Sequence, residues 1–379
     1  MPDDDVPIGF PQGFGAGPGE RRALLVLSAL RGIKPRALHA LAWGTGSAAA
    51  CLDAIVAGRA GSAGDRDLAS RADPDQILRA ASDDDARFLT PADQEYVEGL
   101  LQLPHDPPAA LYVRGGPLVP SVRSVAVVGA RRCSSLGAEV AFDLGLTLAG
   151  VGLTHVSGAA RGIDEASHRG AIAGGGRTVA VLGCGIDAGY PRSRSRLFGD
   201  ILASGGSLVS EYSPGIPAEP YHFPARNRLI AALSRALVVV EGAEGSGSMI
   251  SVDHALDIGR DVFAVPGPVT SPLSAVPLAI IRDGAGLIRG ADDLLNDLGI
   301  RERLLEAPPP DLPGIELRVW DALASRSLPD AVARAAGLSI PDAVSALIGL
   351  ELRGLVRSVG GRYERRFTPR QGVPRASGA

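Results

Sequence analysis

Phe223-Pro-Ala-Arg226-Asn227-Arg228-Leu-Ile-Ala-Ala-Leu-Ser-Arg-Ala-Leu-Val-Val-Val240-Glu241-Gly-Ala-Glu-Gly245-Ser246-Gly247-Ser248 joins three patterns in one run. A loop carrying an aromatic ring and two arginines enters a helix. A continuous apolar stretch, residues 237–240, then has strand character, and a glycine/serine turn opens the next helix. Helix, strand and helix in that order form one repeat of a parallel sheet. Similar β-branched runs stand at residues 125–128, 153–156, 178–182, 207–209 and 262–265, with helix-length stretches between them. Strands that are apolar throughout are buried on both faces. The pattern predicts an α/β fold, a Rossmann-like doubly wound parallel sheet over residues 105–306. In such sheets ligands bind beyond the carboxyl ends of the strands, so the residues just after each strand carry the functional question.

Working outward, residues 1–19 are acidic and rich in Gly and Pro, and read as a disordered tail. Residues 20–104 read as a helical domain. There Gly32-Ile33-Lys34-Pro35 interrupts two amphipathic runs as a SAM-like or helix-hairpin-helix turn would, a turn that can offer backbone N–H groups to a phosphate. Residues 307–313, Ala-Pro-Pro-Pro-Asp-Leu-Pro, are a stiff linker. Three helices and a tight hairpin over 314–369 describe a winged helix, followed by a tail at 370–379. Its third helix carries Arg353 against Asp342 and Glu351. That is a poor match for a major groove and favours a protein-contact role.

Composition sets limits. With 45% hydrophobic and 21% charged residues the chain is an ordinary folded protein, and a net charge of −4 gives no global attraction to nucleic acid. The first hundred residues are net acidic and the last segment net basic, so a basic footprint must be local. Cys51, Cys133 and Cys184 show no CxxC spacing, which argues for a reducing interior. No apolar run approaches the roughly 18 residues of a membrane span. A cytoplasmic location without a membrane span is expected.

The strand ends are rich in arginine. Gly129-Ala130-Arg131-Arg132-Cys133-Ser134 follows the first strand and lacks a GxGxxG fingerprint. Ser157-Gly-Ala-Ala-Arg161 follows the second, and Arg192, Arg194 and Arg196 follow the third. With Arg226 and Arg228 they predict a positive rim, in which Arg192, Arg194 and Arg196 are expected to cap helices or bridge subunits. Phe223 offers a face for a base, guanidinium forks suit phosphate oxygens, and the turn Gly245 to Ser248 offers N–H groups at a helix N-terminus. Glu241 could serve as a base, or merely accept N–H bonds or orient Arg226. His168, four residues after Asp164, reads as half of a buried pair.

In this order the segments resemble the DNA-processing protein A (DprA/Smf) family. The resemblance rests on Gly129-Ala-Arg131-Arg-Cys-Ser134, Ser157-Gly-Ala-Ala-Arg-Gly-Ile-Asp164, Gly183-Cys-Gly-Ile-Asp187, Ser210-Glu-Tyr212, Phe223-Pro-Ala-Arg-Asn-Arg228, Ser246-Gly-Ser-Met-Ile250 and Gly259-Arg-Asp-Val-Phe-Ala-Val-Pro-Gly267. It implies a homodimeric, non-enzymatic protein that needs no cofactor. Such a protein holds incoming single-stranded DNA in natural transformation, binds double-stranded DNA more weakly, and helps load a RecA-type recombinase. Carried onto this sequence, Arg131 and Arg226 would contact phosphate and Phe223 would stack a base. Gly129, Ser157, Asn227, Ser246, Gly247 and Ser248 would hydrogen-bond the strand. Placement and charge add Arg132, Arg161 and Arg228. Ala130 and Ser167 are small departures from the family pattern, and Leu278 stands where an asparagine is usual.

A rival reading from another class is a LOG-like nucleoside monophosphate phosphoribohydrolase, which shares the fold type. Its Pro-Gly-Gly-x-Gly-Thr signature would fall at Gly242-Ala-Glu-Gly-Ser-Gly, which does not match.

Overall fold

The computed structural model describes residues 6–187, 195–300, 312–323, 327–353 and 355–365. They divide into two compact units, residues 1–301 and 302–379.

The first unit begins with five helices, α1 (Gly17–Ala29), α2 (Pro35–Thr45), α3 (Ala48–Val56), α4 (Ala63–Arg71) and α5 (Pro74–Asp83). Strands β1 (Ala86–Leu89), β2 (Leu111–Gly115) and β3 (Ser124–Val128) follow. Then come α6 (Ser135–Gly150), β4 (Thr154–Ser157), α7 (Ile163–Ala173), β5 (Thr178–Val181), α8 (Ser195–Ala203) and β6 (Ser207–Ser210). The unit ends with α9 (His222–Ala232), β7 (Ala236–Val239), α10 (Ser248–Asp257), β8 (Asp261–Ala264), α11 (Ala275–Arg282), β9 (Gly286–Leu287) and α12 (Ala291–Asp297).

Among the described residues the strands form one nine-stranded sheet in the order β1-β2-β6-β5-β4-β3-β7-β8-β9. From β6 to β9 every pairing is parallel, as the runs of buried Val, Leu and Ala predict. Strand β3 is buried at all five positions and β7 at all four. Each fully buried Val or Leu there contributes about 1.5–3 kcal/mol. Strands β4 to β6 are laid down on one side of β3 and β7 to β9 on the other, so the carboxyl ends of the parallel pair β3 and β7 form the switch-point crevice.

Two sequence expectations are corrected here. Residues 9–19 are not a free tail: Phe14 is 2% exposed, and Phe10 stacks on it with ring centroids 4.4 Å apart. The carbonyl of Gly9 lies 2.6 Å from His39 Nε2. Two aromatic rings in a short segment were enough to anchor it against the helices. Residues 1–5 lie outside the described residues. The second correction concerns the boundary at 104. Strand β1 lies within the segment read as helical; it pairs antiparallel with β2, and β2 pairs antiparallel with β6. The sheet is therefore mixed at one edge, and the helical segment and the sheet share one compact unit.

A buried polar cluster ties β4 and β5 to α7. Thr178 Oγ1 lies 2.7 Å from His155 Nδ1 and 2.6 Å from His168 Nδ1, and the two rings meet edge to face at 4.7 Å. Burial lowers the pKa of His155 to about 3. The unfolded chain, with an ordinary imidazole near 6.5, then binds a proton that the folded chain excludes. Stability from this group is complete above about pH 6.5 and falls as the pH drops toward 3. Urea unfolding at pH 7 and pH 5 should show a loss of about 2 kcal/mol from this group; equal stability at both would contradict the neutral buried ring.

Unit 302–379 contains α13 (Gly314–Ala322), α14 (Pro329–Ala336), α15 (Ile340–Leu352) and the antiparallel hairpin β10 (Val356–Val359) and β11 (Arg362–Arg365). Its core gathers Val319, Trp320, Val332, Leu347 and Leu350. This is a winged helix. Helix α15 is capped by Ser339, which accepts from Asp342 N. The charges on α15 are engaged within the unit: Arg353 bonds Glu316 at 2.6 Å and Glu351 accepts from Ser358 N at 3.1 Å. The linker residues 307–311 and the tail 370–379 lie outside the described residues. Among the described residues no single helix is long and apolar enough to cross a membrane.

Candidate nucleic-acid interface

The crevice is built by three strand ends that hold one another. After β3, Ala130 N donates to the Glu241 carbonyl at 2.7 Å and the Ala130 carbonyl accepts from Ile163 N at 3.2 Å. Gly129 sits where a Cβ would lie 2.7 Å from that Glu241 carbonyl oxygen and 2.8 Å from Ile163 Cγ1. The close crossing leaves room for hydrogen alone. Ser134 caps α6 by accepting from Gly137 N at 2.9 Å. Its own N–H and hydroxyl donate to the Glu241 carboxylate at 2.8 and 2.6 Å. Of the roles open to Glu241, the geometry shows a brace: it fixes the β3–α6 turn to the end of β7.

That braced turn carries Arg131 and Arg132 into solvent, with no ion pair for either among the described residues. The Arg131 guanidinium carbon stands 5.6 Å from the centroid of the Phe223 ring. Phe223 is half-buried in the first turn of α9, beside the crevice floor. Arg226, one turn along the same face, is 4% exposed. Its Nη1 donates to the Gly158 carbonyl at 2.8 Å and to the Val181 carbonyl, while its Nε has no partner. Burial lowers the Arg226 pKa to about 10, against the pull of nearby Asp164, so the group is cationic at neutral pH. Asp164 accepts from Gly158 N and Ala160 N at 3.2 and 3.3 Å, and burial raises its pKa.

The far wall is the Gly/Ser turn. Asn227 Nδ2 donates to the Gly247 carbonyl at 3.2 Å, and the hydroxyls of Ser246 and Ser248 lie 2.6 Å apart. Gly247 is the N-cap of α10 and no side chain caps that terminus; Met249 N donates to the Ser246 carbonyl at 3.3 Å, and the positive end of the helix still faces the cavity through Ser248. Together these residues enclose a cavity of about 470 Å³. Three guanidinium groups, Arg131, Arg132 and Arg226, face one buried carboxylate on its lining. Gly129, Phe223, Asn227, Ser246, Gly247 and Ser248 complete the sequence-derived set that meets here.

Three expected residues do not meet there. Arg228 is 1% exposed, with its fork closed on Glu211 at 2.7 and 2.5 Å and its Nε on Asp106 at 3.0 Å. Residues two apart on a helix point to different sides, so Arg226 and Arg228 could not share a ligand once α9 began at His222. Ser157 is fully buried and its hydroxyl donates to the Val127 carbonyl at 2.7 Å, bracing β3 to β4. Arg161 is exposed in the turn before α7 but does not line the cavity. Arg192 and Arg194 lie outside the described residues, and Arg196 stands in the first turn of α8. Sequence reasoning missed Asp164 as a lining residue; its signal was its place in the first turn of the helix that follows β4. Leu278 lies half-exposed in α11.

Residues 87–299 match the model of a family described as DNA recombination-mediator protein A, and residues 304–362 match the DprA winged helix domain. The chain belongs to the DNA recombination-mediator protein A family. It is 38% identical over 287 residues to protein Smf of Escherichia coli, covering 73% of this chain and 77% of that one. To the DNA processing protein DprA of Streptococcus pneumoniae it is 41% identical over 191 residues, covering 50% and 67%. The X-ray structure of DprA from S. pneumoniae superposes with a TM-score of 0.61 at 31% identity, over 74% of this chain and 97% of that one. A family assignment of this breadth and a crevice at the sheet's switch point converge on DNA processing.

Proposed function

We propose that this chain is a single-stranded DNA-binding recombination mediator whose strand-end cavity takes phosphates and a base from one strand. The observation that carries the reading is the Arg131–Phe223 pair beside the uncapped start of α10. A cation and a ring face at that spacing suit a base with its adjoining phosphate, and neither feature selects a sequence. A duplex buries its base faces in stacking and cannot offer one to Phe223, so double-stranded DNA binds more weakly. We extend the proposal, from the family likeness, to a homodimer, to delivery of the strand to a RecA-type recombinase, and to a cytoplasmic setting. The role is binding, without catalysis or a cofactor. The phosphoribohydrolase reading is disfavoured because Glu241, the acid at this turn, is engaged by Ser134.

Fluorescence anisotropy with labelled single- and double-stranded oligonucleotides over a salt series tests the proposal. Three guanidinium contacts should give a slope of log K against log salt of about −2, at roughly −0.7 per phosphate on a single strand. Salt-insensitive binding, equal affinity for duplex, or release of free base from nucleoside monophosphates would each overturn it.

A further inference from the structure

A second cavity, of about 560 Å³, lies in the same compact unit between the α1–α2 turn and the segment leading from β6 into α9. Its floor is apolar, with Leu24 and Leu27 of α1 facing Ile216 and Pro217. An aromatic group forms one wall. The His222 ring stacks on Tyr212 with centroids 4.1 Å apart, and Tyr221, 66% exposed, meets His222 edge-on at 4.5 Å. His222 is 7% exposed, with the backbone of Gly183 and Pro217 beside its ring, so the stacked pair is a fixed part of that wall.

The opposite rim is the Arg31-Gly32-Ile33-Lys34 turn that the sequence singles out. Gly32 N donates to Asp65 Oδ1 at 2.7 Å, and a Cβ on Gly32 would lie 2.3 Å from Asp65 Oδ2. The turn is therefore fixed, and that amide is already engaged. Recognition falls to the side chains. Arg31 and Lys34 are exposed and form no ion pair among the described residues. Of the acids on the lining, Glu211 and Asp106 are held by Arg228, which leaves Glu219 against the rim cations.

The two cavities adjoin. They flank α9: His222, Ala225 and Arg228 line this one, and Phe223, Arg226 and Asn227 line the other, so a strand passing between them rounds the start of the helix at Tyr221 and His222. We infer that the single strand leaving the Phe223 cavity crosses Tyr221 and enters this second cavity, placing a further base against the Tyr212–His222 pair and its phosphates on Arg31 and Lys34. The inference rests on the proposed single-strand reading and adds a second subsite, one that draws the helical segment into binding. The contacting rings of Tyr221, His222 and Tyr212 and the cationic rim favour a nucleic acid strand over a protein segment.

The test is anisotropy with oligothymidylates graded from about 4 to about 16 nucleotides, a range of site sizes common to single-strand binders. Wild type, Arg31→Ala/Lys34→Ala and Arg131→Ala are compared, with folding checked by circular dichroism. Wild-type affinity should rise in two stages with length. Arg31→Ala/Lys34→Ala should match wild type on the shortest strands that bind and lose about tenfold or more on long ones, with the salt slope shallower by about 1.4. Arg131→Ala should weaken every length. If Arg31→Ala/Lys34→Ala equals wild type at all lengths while Arg131→Ala is weakened, the second subsite is overturned and the first reading stands; that result would leave the cavity to a protein segment. If wild type binds no strand, or Arg131→Ala loses nothing, both fall.

Discussion

Arg228→Ala should destabilise the first unit by about 3–5 kcal/mol, the usual cost of breaking a buried ion pair by removing one partner. The side chain is 1% exposed and its fork closes on the Glu211 carboxylate, whose own side chain is only 8% exposed. Deleting the cation leaves Glu211 as an unpaired buried acid and takes from the half-buried Asp106 its partner. The Arg228 pKa is raised well above the ordinary arginine value: burial opposes the charge, and Glu211 and Asp106 outweigh it. Arg228→Lys should recover little, since an ammonium cannot make the two parallel bonds. Arg228→Met combined with Glu211→Leu should recover more than either single change, because it removes the charges together. Urea unfolding of wild type and of these five variants checks this. The loss of DNA binding in Arg228→Ala should track its unfolded fraction, which separates this arginine from those of the crevice.

Phe223→Ala and Arg131→Ala should instead leave the fold intact and weaken single-strand binding. Phe223 is half-buried and Arg131 exposed, so neither supports the core. Loss of one stacked base costs about 1–3 kcal/mol, roughly 5- to 150-fold in affinity. Loss of a charge-assisted phosphate contact costs a comparable about 1.5–3 kcal/mol. Because the guanidinium lies over the ring, the two effects should not add: the double variant should lose less than the product of the single losses. Anisotropy at one fixed salt concentration, beside thermal melts that stay within about 2 °C of wild type, reads both expectations.

How much of this was legible depends on the element. The central strands announced themselves because β3, β5 and β7 are mainly Val, Ala and Leu, as strands buried on both faces usually are; β4, Thr-His-Val-Ser, was legible only through the apolar residues Leu153 and Val156. Strands β1 and β2 did not, since Arg87 and Arg114 break the short runs and their partners lie far along the chain. Residues 9–19 were misread because two phenylalanines among glycines and prolines carry no periodicity, although their rings anchor the segment. The crevice was legible from its position after the strands, and Gly129, Arg131, Phe223 and Arg226 do meet there. Arg228 was misread by placing 223–228 in a loop. Once the helix starts at His222, side chains two apart must part company, one to the crevice and one to Glu211. Ser157 erred in the same way, because the end of a central strand is still interior.

The most direct test of the crevice is a photocrosslink. A single strand carrying 5-bromodeoxyuridine, irradiated on the full-length protein and digested, should give its principal adduct on the peptide that contains Phe223, and Phe223→Ala should abolish that adduct while the protein remains folded. Adducts confined to residues 314–365, with none on α9, would contradict the account.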